Sequence, residues 1–399
     1  MRHENTHLVP LIHQLPATCS TGRRRWLKTF AVSAFIPASA VLGGCGGSGT
    51  PVASASPAST VPELLSAAPL AARSWRMGFG GIPPDFKAAT AIQGIDIWSQ
   101  RAEMAAIHEE APWTELLAGA DPDALIARDK VDLVRYYRAK GLKLLITVEL
   151  NDGLARDQEA PQLRALGRSL AEPEVQAVWL AYVNAVARLL KPDWLCLAAE
   201  TNLVRQIASP GLYAAVRKTA NDGAAALRSP KLATPPQLLT SVQVECAWGR
   251  LAGQSSDFAG IRNDLKDFPF SEFVGLSSYP YLAYATPEEL PRDHYSKLVE
   301  QAGLPAMVVE CGWTSHVVAG MASTPELQAR YVKRHGELLD QLGALAVVQL
   351  FFADLDLSTW QPAQKQSLPT FAYIGFADTD FRPKPALSAW DALHARPLA

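Results

Sequence analysis

Short apolar runs bounded by turn residues recur along the chain at 75–79, 92–98, 142–150, 194–199, 238–244, 273–277, 306–309 and 345–352. Each is followed by a stretch in which apolar positions return with the helical period, the alternation expected of βα units whose parallel sheet is buried on both faces. Residues 123–140 place Leu125, Val131, Leu133, Val134 and Tyr137 on one side of a helix, and 174–190 form a second that stops at Lys191-Pro192. Thr286-Pro287-Glu288-Glu289 and Ser323-Thr324-Pro325-Glu326 have the spacing of capping boxes with proline in the first turn. Eight such units fit a (β/α)8 TIM barrel, in which chemistry sits at the C-terminal strand ends because the packed interior has no room for substrate. A doubly wound sheet is the structural alternative, but no glycine-rich phosphate turn follows the first run.

The amino-terminal stretch follows another pattern. Arg23-Arg24-Arg25-Trp26-Leu27-Lys28 precedes an apolar segment at 30–42 that is too short to span a bilayer, which needs about 20 residues. This is the layout of an export signal, and the hexapeptide resembles the twin-arginine motif. Leu42-Gly43-Gly44-Cys45 resembles a bacterial lipobox, which implies a signal peptide over 1–44 and a lipid anchor on Cys45. Gly46 after that cysteine leans, by the same resemblance, toward the outer membrane, at its periplasmic face or the cell surface, rather than the inner membrane. Residues 45–62 are mostly Gly, Ser, Ala and Pro, the composition of a flexible tether. The barrel domain is expected over 63–399.

Composition narrows the partners. The chain has 37 Lys and Arg against 39 Asp and Glu, so its charge gives no reason to expect nucleic acid. Cys196, Cys246 and Cys311 fall in or just after strands and read as small buried residues, with one bridge possible in an oxidising compartment. His108, His294, His316, His335 and His394 are dispersed, with no pair spaced as ligands on a helix, so neither a metal nor a cofactor is expected. No Gly-x-Ser-x-Gly elbow is present.

Four apolar runs end in a glutamate: Glu149, Glu200, Glu245 and Glu310. A carboxylate at the end of a buried strand is costly unless paired or solvated, so each wants a partner or a task. Arg101 and Arg250 are candidate partners. Glycosidic bond cleavage is one task that needs two carboxyls facing each other.

The fourth-strand Glu200, Val-Gly-Leu-Ser-Ser-Tyr279-Pro280-Tyr281, Val-Val-Glu310-Cys-Gly-Trp313 and Lys384-Pro385-Ala386-Leu387-Ser388-Ala389-Trp390 together resemble clan A retaining glycoside hydrolases, nearest to the endo-β-1,4-galactanase family. The resemblance implies Glu200 as general acid/base, Glu310 as nucleophile, and Tyr279 as the group hydrogen-bonding that nucleophile. One position departs from the clan pattern: Ala199 stands where the clan usually has an asparagine for the sugar 2-hydroxyl. Asn202 is a substitute if the chain turns back there, and a helix-capping or turn residue otherwise. Trp98, Trp248 and Trp313, with Trp113 and Trp360, are candidate stacking surfaces for sugar rings, and Glu149 and Glu245 are further candidates for substrate binding. The reading is an exported lipoprotein that hydrolyses a β-linked carbohydrate. A non-catalytic glycan-binding lipoprotein and a transglycosylase are the alternatives.

Overall fold

The computed structural model describes residues 70–399 apart from 86, 229–231, 301, 319 and 360–367. The expected signal peptide, Cys45, the tether and Trp360 lie outside the described residues. Eight parallel strands close into a barrel in chain order: β1 (Arg76–Gly80), β2 (Met104–Glu110), β3 (Lys143–Glu149), β4 (Trp194–Ala198), β5 (Gln237–Gln243), β6 (Phe273–Ser278), β7 (Ala306–Cys311) and β8 (Ala346–Gln349). Pairing of β1 with β8, Arg76 to Ala346 through Phe79 to Gln349, completes the ring.

Strand alternation sorts side chains between two cores. Met104, Ala106, Leu145, Trp194, Cys196, Leu239, Phe273, Met307, Val309, Ala346 and Val348 fill the barrel interior as one cluster. Ala105, Ile107, Leu144, Ile146 and Val148, one residue out of phase, pack instead with the surrounding helices. The same parity carried upward puts His108, Glu110, Thr147 and Glu149 on the inner column above the packed interior, and turns Glu109 outward. There Glu109 pairs with Lys130 at 2.5 Å and accepts the Tyr182 hydroxyl at 2.7 Å.

Seven of the eight predicted runs lie on strands. The run at 92–98 does not: it belongs to the helix Ala88–Trp98, whose buried residues Gly94, Ile95 and Trp98 follow helical spacing. The second strand is Met104–Glu110. The helix expected over 123–140 is two helices, Pro122–Asp129 and Val131–Ala139, broken at Lys130 where the backbone leaves helical geometry. The second long helix, Pro173–Leu190, ends on Lys191 in the left-handed region. Neither capping box forms as spaced. Thr324, not Ser323, caps Pro325–Leu342 by accepting the Leu327 N–H, while Ser323 bonds Trp313 and the Thr314 carbonyl. Thr286 precedes only the short 3-10 turn Pro287–Glu289, and its hydroxyl reaches the Glu289 carboxylate at 3.3 Å.

Closure leaves little clearance between β1 and the chain following β8. A Cβ on Gly80 would stand 2.2 Å from the Leu350 carbonyl oxygen, so Gly80→Ala must push the two apart. Overpacking of this kind costs about 1–3 kcal/mol. Gly80→Ala is expected to lower the midpoint of urea unfolding without altering its slope.

Candidate active site

Two strand ends are irregular where the candidate carboxylates stand. The β4–β5 register shifts between Cys196 and Ala198, and the β6–β7 register between Leu276 and Ser277, beyond which Ser277 pairs with Glu310. Bulges re-aim side chains at barrel rims. Glu200 itself has φ 48° and ψ 45°, a left-handed conformation that costs a non-glycine residue energy. It is held there by its N–H bond to the Ser241 hydroxyl at 2.9 Å, and its carbonyl receives the first N–H groups of the helix Thr201–Ile207.

Glu310 and Tyr279 meet: the Tyr279 hydroxyl donates to Glu310 Oε1 at 2.6 Å. Glu200 accepts the Ser277 hydroxyl on Oε1 at 2.7 Å and the Arg156 Nε–H on Oε2 at 2.9 Å. Arg156 also grips Glu149 with both terminal nitrogens, at 2.7 and 3.3 Å. His108 closes the gap on the other side, Nδ1 3.9 Å from Glu149 Oε1 and Nε2 3.9 Å from Glu310 Oε2. The contacts run Glu200, Arg156, Glu149, His108, Glu310 around the mouth.

Electrostatics follow the geometry. Burial alone would raise the Glu149 carboxyl, but Arg156 and His108 override it and hold it at about 2. Burial pushes the Glu310 carboxyl above the usual range; His108 opposes this, the Glu200 charge adds to it, and the Tyr279 hydroxyl and Arg156 oppose it without reversing the direction. Burial disfavours the charged His108 imidazole, yet Glu310 and Glu149 together raise its pKa. Glu110, on the same inner column, is driven up to about 8 by burial and by the charges of Asp152, Glu109 and Glu149.

Several expected site residues stand elsewhere. Glu245 is not at the mouth. It lies in the helical turn Val244–Ala247, fully enclosed, accepting bonds from Gln243, Ser278 and the Tyr279 N–H, with His294 Nε2 at 3.4 Å. Asn202 does not take up the role of the absent asparagine: its amide donates to the Gln243 carbonyl and its oxygen accepts the Gln243 and Leu203 N–H groups. Trp98 and Trp313 are 2% and 1% exposed, one against Phe79 and Tyr137, the other against Tyr281 and Tyr331, so neither ring has a face open to a sugar. Trp113 is likewise enclosed. The Trp248 ring stacks on His294 and is capped by the Lys297 ammonium at 4.8 Å. Cys196, Cys246 and Cys311 are free thiols.

Neither suggested arginine serves the strand-end glutamates through an ion pair: Arg101 binds Asp391, and Arg250 lies over the Tyr284 ring. Arg156, His108 and Ser277 are the site residues that the sequence reading missed. The signal for Arg156 is Asn151-Asp152-Gly153. Asp152 accepts the Leu154 and Ala155 N–H groups, and the Asn151 amide binds the Arg156 carbonyl, folding the loop back over the mouth. For His108 it is the parity of β2 once that strand is placed. Among the described residues no group of three or more His, Cys, Asp or Glu could hold a metal ion.

No family model matches the chain, and no curated relative matches it. Solved structures do. Xylanase 10B from Thermotoga maritima superposes with a TM-score of 0.53 at 13% identity, over 80% of this chain and 95% of its own. The exo-β-1,4-mannosidase from Opitutaceae bacterium strain TAV5 gives 0.61 at 15%, over 81% and 59%. In fold, this is a (β/α)8 barrel.

Proposed function

We propose that the protein is a retaining glycoside hydrolase acting on a β-linked polysaccharide or oligosaccharide, with Glu310 as nucleophile and Glu200 as general acid/base. The observation that carries this reading is the Tyr279 hydroxyl on Glu310 Oε1, which fixes one oxygen of a strand-end carboxylate while the strained Glu200 stands at the end of β4. Glu310 Oε2, left outside that bond, attacks the anomeric carbon as Glu200 passes its proton to the departing oxygen. Glu200 then takes a proton from water, and the hydroxyl oxygen displaces Glu310 from the sugar.

Tyr279→Phe removes a bond that favours ionised Glu310. The Glu310 carboxyl then stays protonated to higher pH, so the acidic limb of kcat/KM moves up. Loss of a hydrogen bond to a charged group, about 1.5–3 kcal/mol, lowers kcat about 10- to 150-fold.

A second reading, a carbohydrate-binding barrel without hydrolysis, is favoured by the engagement of both Glu200 oxygens with Arg156 and Ser277, which leaves neither free to deliver a proton. Reducing-end release from a panel of β-linked polysaccharides, run beside direct glycan binding, separates the two. Release supports hydrolysis; binding without release, equal in Glu310→Gln and Glu200→Gln, supports the alternative. The lipoprotein reading adds export and a lipid anchor on Cys45, at the periplasmic face of the outer membrane or the cell surface. Radiolabelled palmitate entering the parent but not Cys45→Ala tests it.

A further inference from the structure

We infer that Glu149 is a positioning residue that fixes one counter-charge against each of the two carboxylates assigned above, Arg156 against Glu200 and His108 against Glu310. The inference rests on the hydrolase reading for its purpose, and on geometry for its substance. Glu149 ends β3 almost fully buried, and a carboxylate so placed must be compensated. Its compensation is divided. One side is the two-pronged Arg156 contact, whose remaining Nε–H reaches Glu200; the other is His108, whose far nitrogen faces Glu310.

The arrangement is lopsided in a useful way. Glu200 and Glu310, at the ends of β4 and β7, share no bridging hydrogen-bond partner among the described residues, yet each faces a cation anchored on the same third carboxylate. Arg156 sits on a loop, and without Glu149 its guanidinium would keep, of its carboxylate hydrogen bonds among the described residues, the one to Glu200. His108 Nε2 is buried and makes no hydrogen bond within the described residues, so its orientation toward Glu310 depends on what holds the other edge of the ring. Both oxygens of Glu149 are committed to this work, which argues against the sugar-binding role expected for it from the sequence.

Among the described residues, the other charged or titratable groups near these five are Glu110 and Asp152 on the β2 and β3 side, Cys196 beneath, Cys246 near Glu200, and Tyr279 just after β6. None of them offers a second cation. Removing the Glu149 charge therefore leaves His108 facing Glu310 alone and weakens its hold on a proton.

The test is an NMR titration of ring-labelled histidine in the full-length protein, with the His108 signal assigned by its loss in His108→Asn. In the parent, His108 is expected to titrate above the ordinary imidazole value of about 6.5. In Glu149→Gln its midpoint falls by about one unit. In activity, Glu149→Gln lowers kcat about tenfold or more with KM nearly unchanged, and Glu149→Asp restores part of the loss. A parent midpoint at or below the ordinary value overturns the inference, and this measurement needs no variant at position 149 to fold. An unchanged midpoint in folded Glu149→Gln overturns it as well. If the parent cleaves no glycan, the hydrolase reading fails by itself, and the titration still decides whether Glu149 holds the counter-charges.

Discussion

Under the proposed retaining mechanism, Glu310→Gln will lose at least about 10³-fold in glycan cleavage, because an amide cannot form the glycosyl ester on which retention depends. Glu200→Gln will lose less on substrates with good leaving groups than on natural glycosides. Acid assistance contributes about 10²–10⁴-fold, and it matters in proportion to how poorly the aglycone departs. The two variants thus separate by substrate. With an aryl glycoside of an acidic phenol, Glu200→Gln forms the glycosyl enzyme and stalls there, and added azide releases a glycosyl azide of retained configuration; Glu310→Gln gives neither burst nor azide product. Equal losses in both variants on every leaving group would sink the assigned division of labour. Neither glutamine adds volume, so thermal melts close to that of the parent would locate the loss in chemistry rather than folding.

What could be read from the chain depended on whether a residue's surroundings follow from its place in a strand. Glu149, Glu200 and Glu310 terminate apolar runs, and the structure brings all three to one mouth. Glu245 follows an equally good run, but the chain enters the helical turn Val244–Ala247 before it, and the side chain points behind the barrel wall. Strand β2 escaped because its apolar run, Met104-Ala105-Ala106-Ile107, is short and half alanine, and His108, Glu109 and Glu110 fill its upper half, where the inner column faces the site and the outer glutamate pairs with a buried lysine. The helix Ala88–Trp98, with isoleucines at 92, 95 and 97, supplied a stronger apolar run just upstream. Tryptophans near strand ends carry no mark of which way they turn: Trp98, Trp113 and Trp313 are enclosed, while Trp248 stays partly exposed against His294 and Lys297. Arg156 left only the turn signal Asn151-Asp152-Gly153, because its partners are set by the turn at Asp152, a contact between loop and mouth that no periodicity encodes.

Lys130→Met is expected to be the most destabilising single change away from the site. Lys130 is 2% exposed and lies at the break between Pro122–Asp129 and Val131–Ala139, with its ammonium 2.5 Å from Glu109, itself 2% exposed on the outer face of β2. Removing the ammonium takes the cation from beside a buried carboxylate that also accepts the Tyr182 hydroxyl, and a buried pair broken on one side costs about 3–5 kcal/mol. Glu109→Gln alone should cost a comparable amount by stranding the ammonium. The double variant should recover much of the loss, because the expense lies in the unpaired charge rather than in the absent attraction. Urea unfolding of the two single variants and the double variant measures this directly; additive losses would show that the lysine stabilises by packing its stem rather than by pairing its charge. The pair also accounts for the local chain path. A continuous helix over 123–140 would have to carry position 130 in helical geometry, whereas the break turns its side chain inward to the one outward-facing carboxylate of β2. The strand with the weakest apolar signal is thereby tied to its covering helices by charge, and its inner column is left to His108 and Glu110.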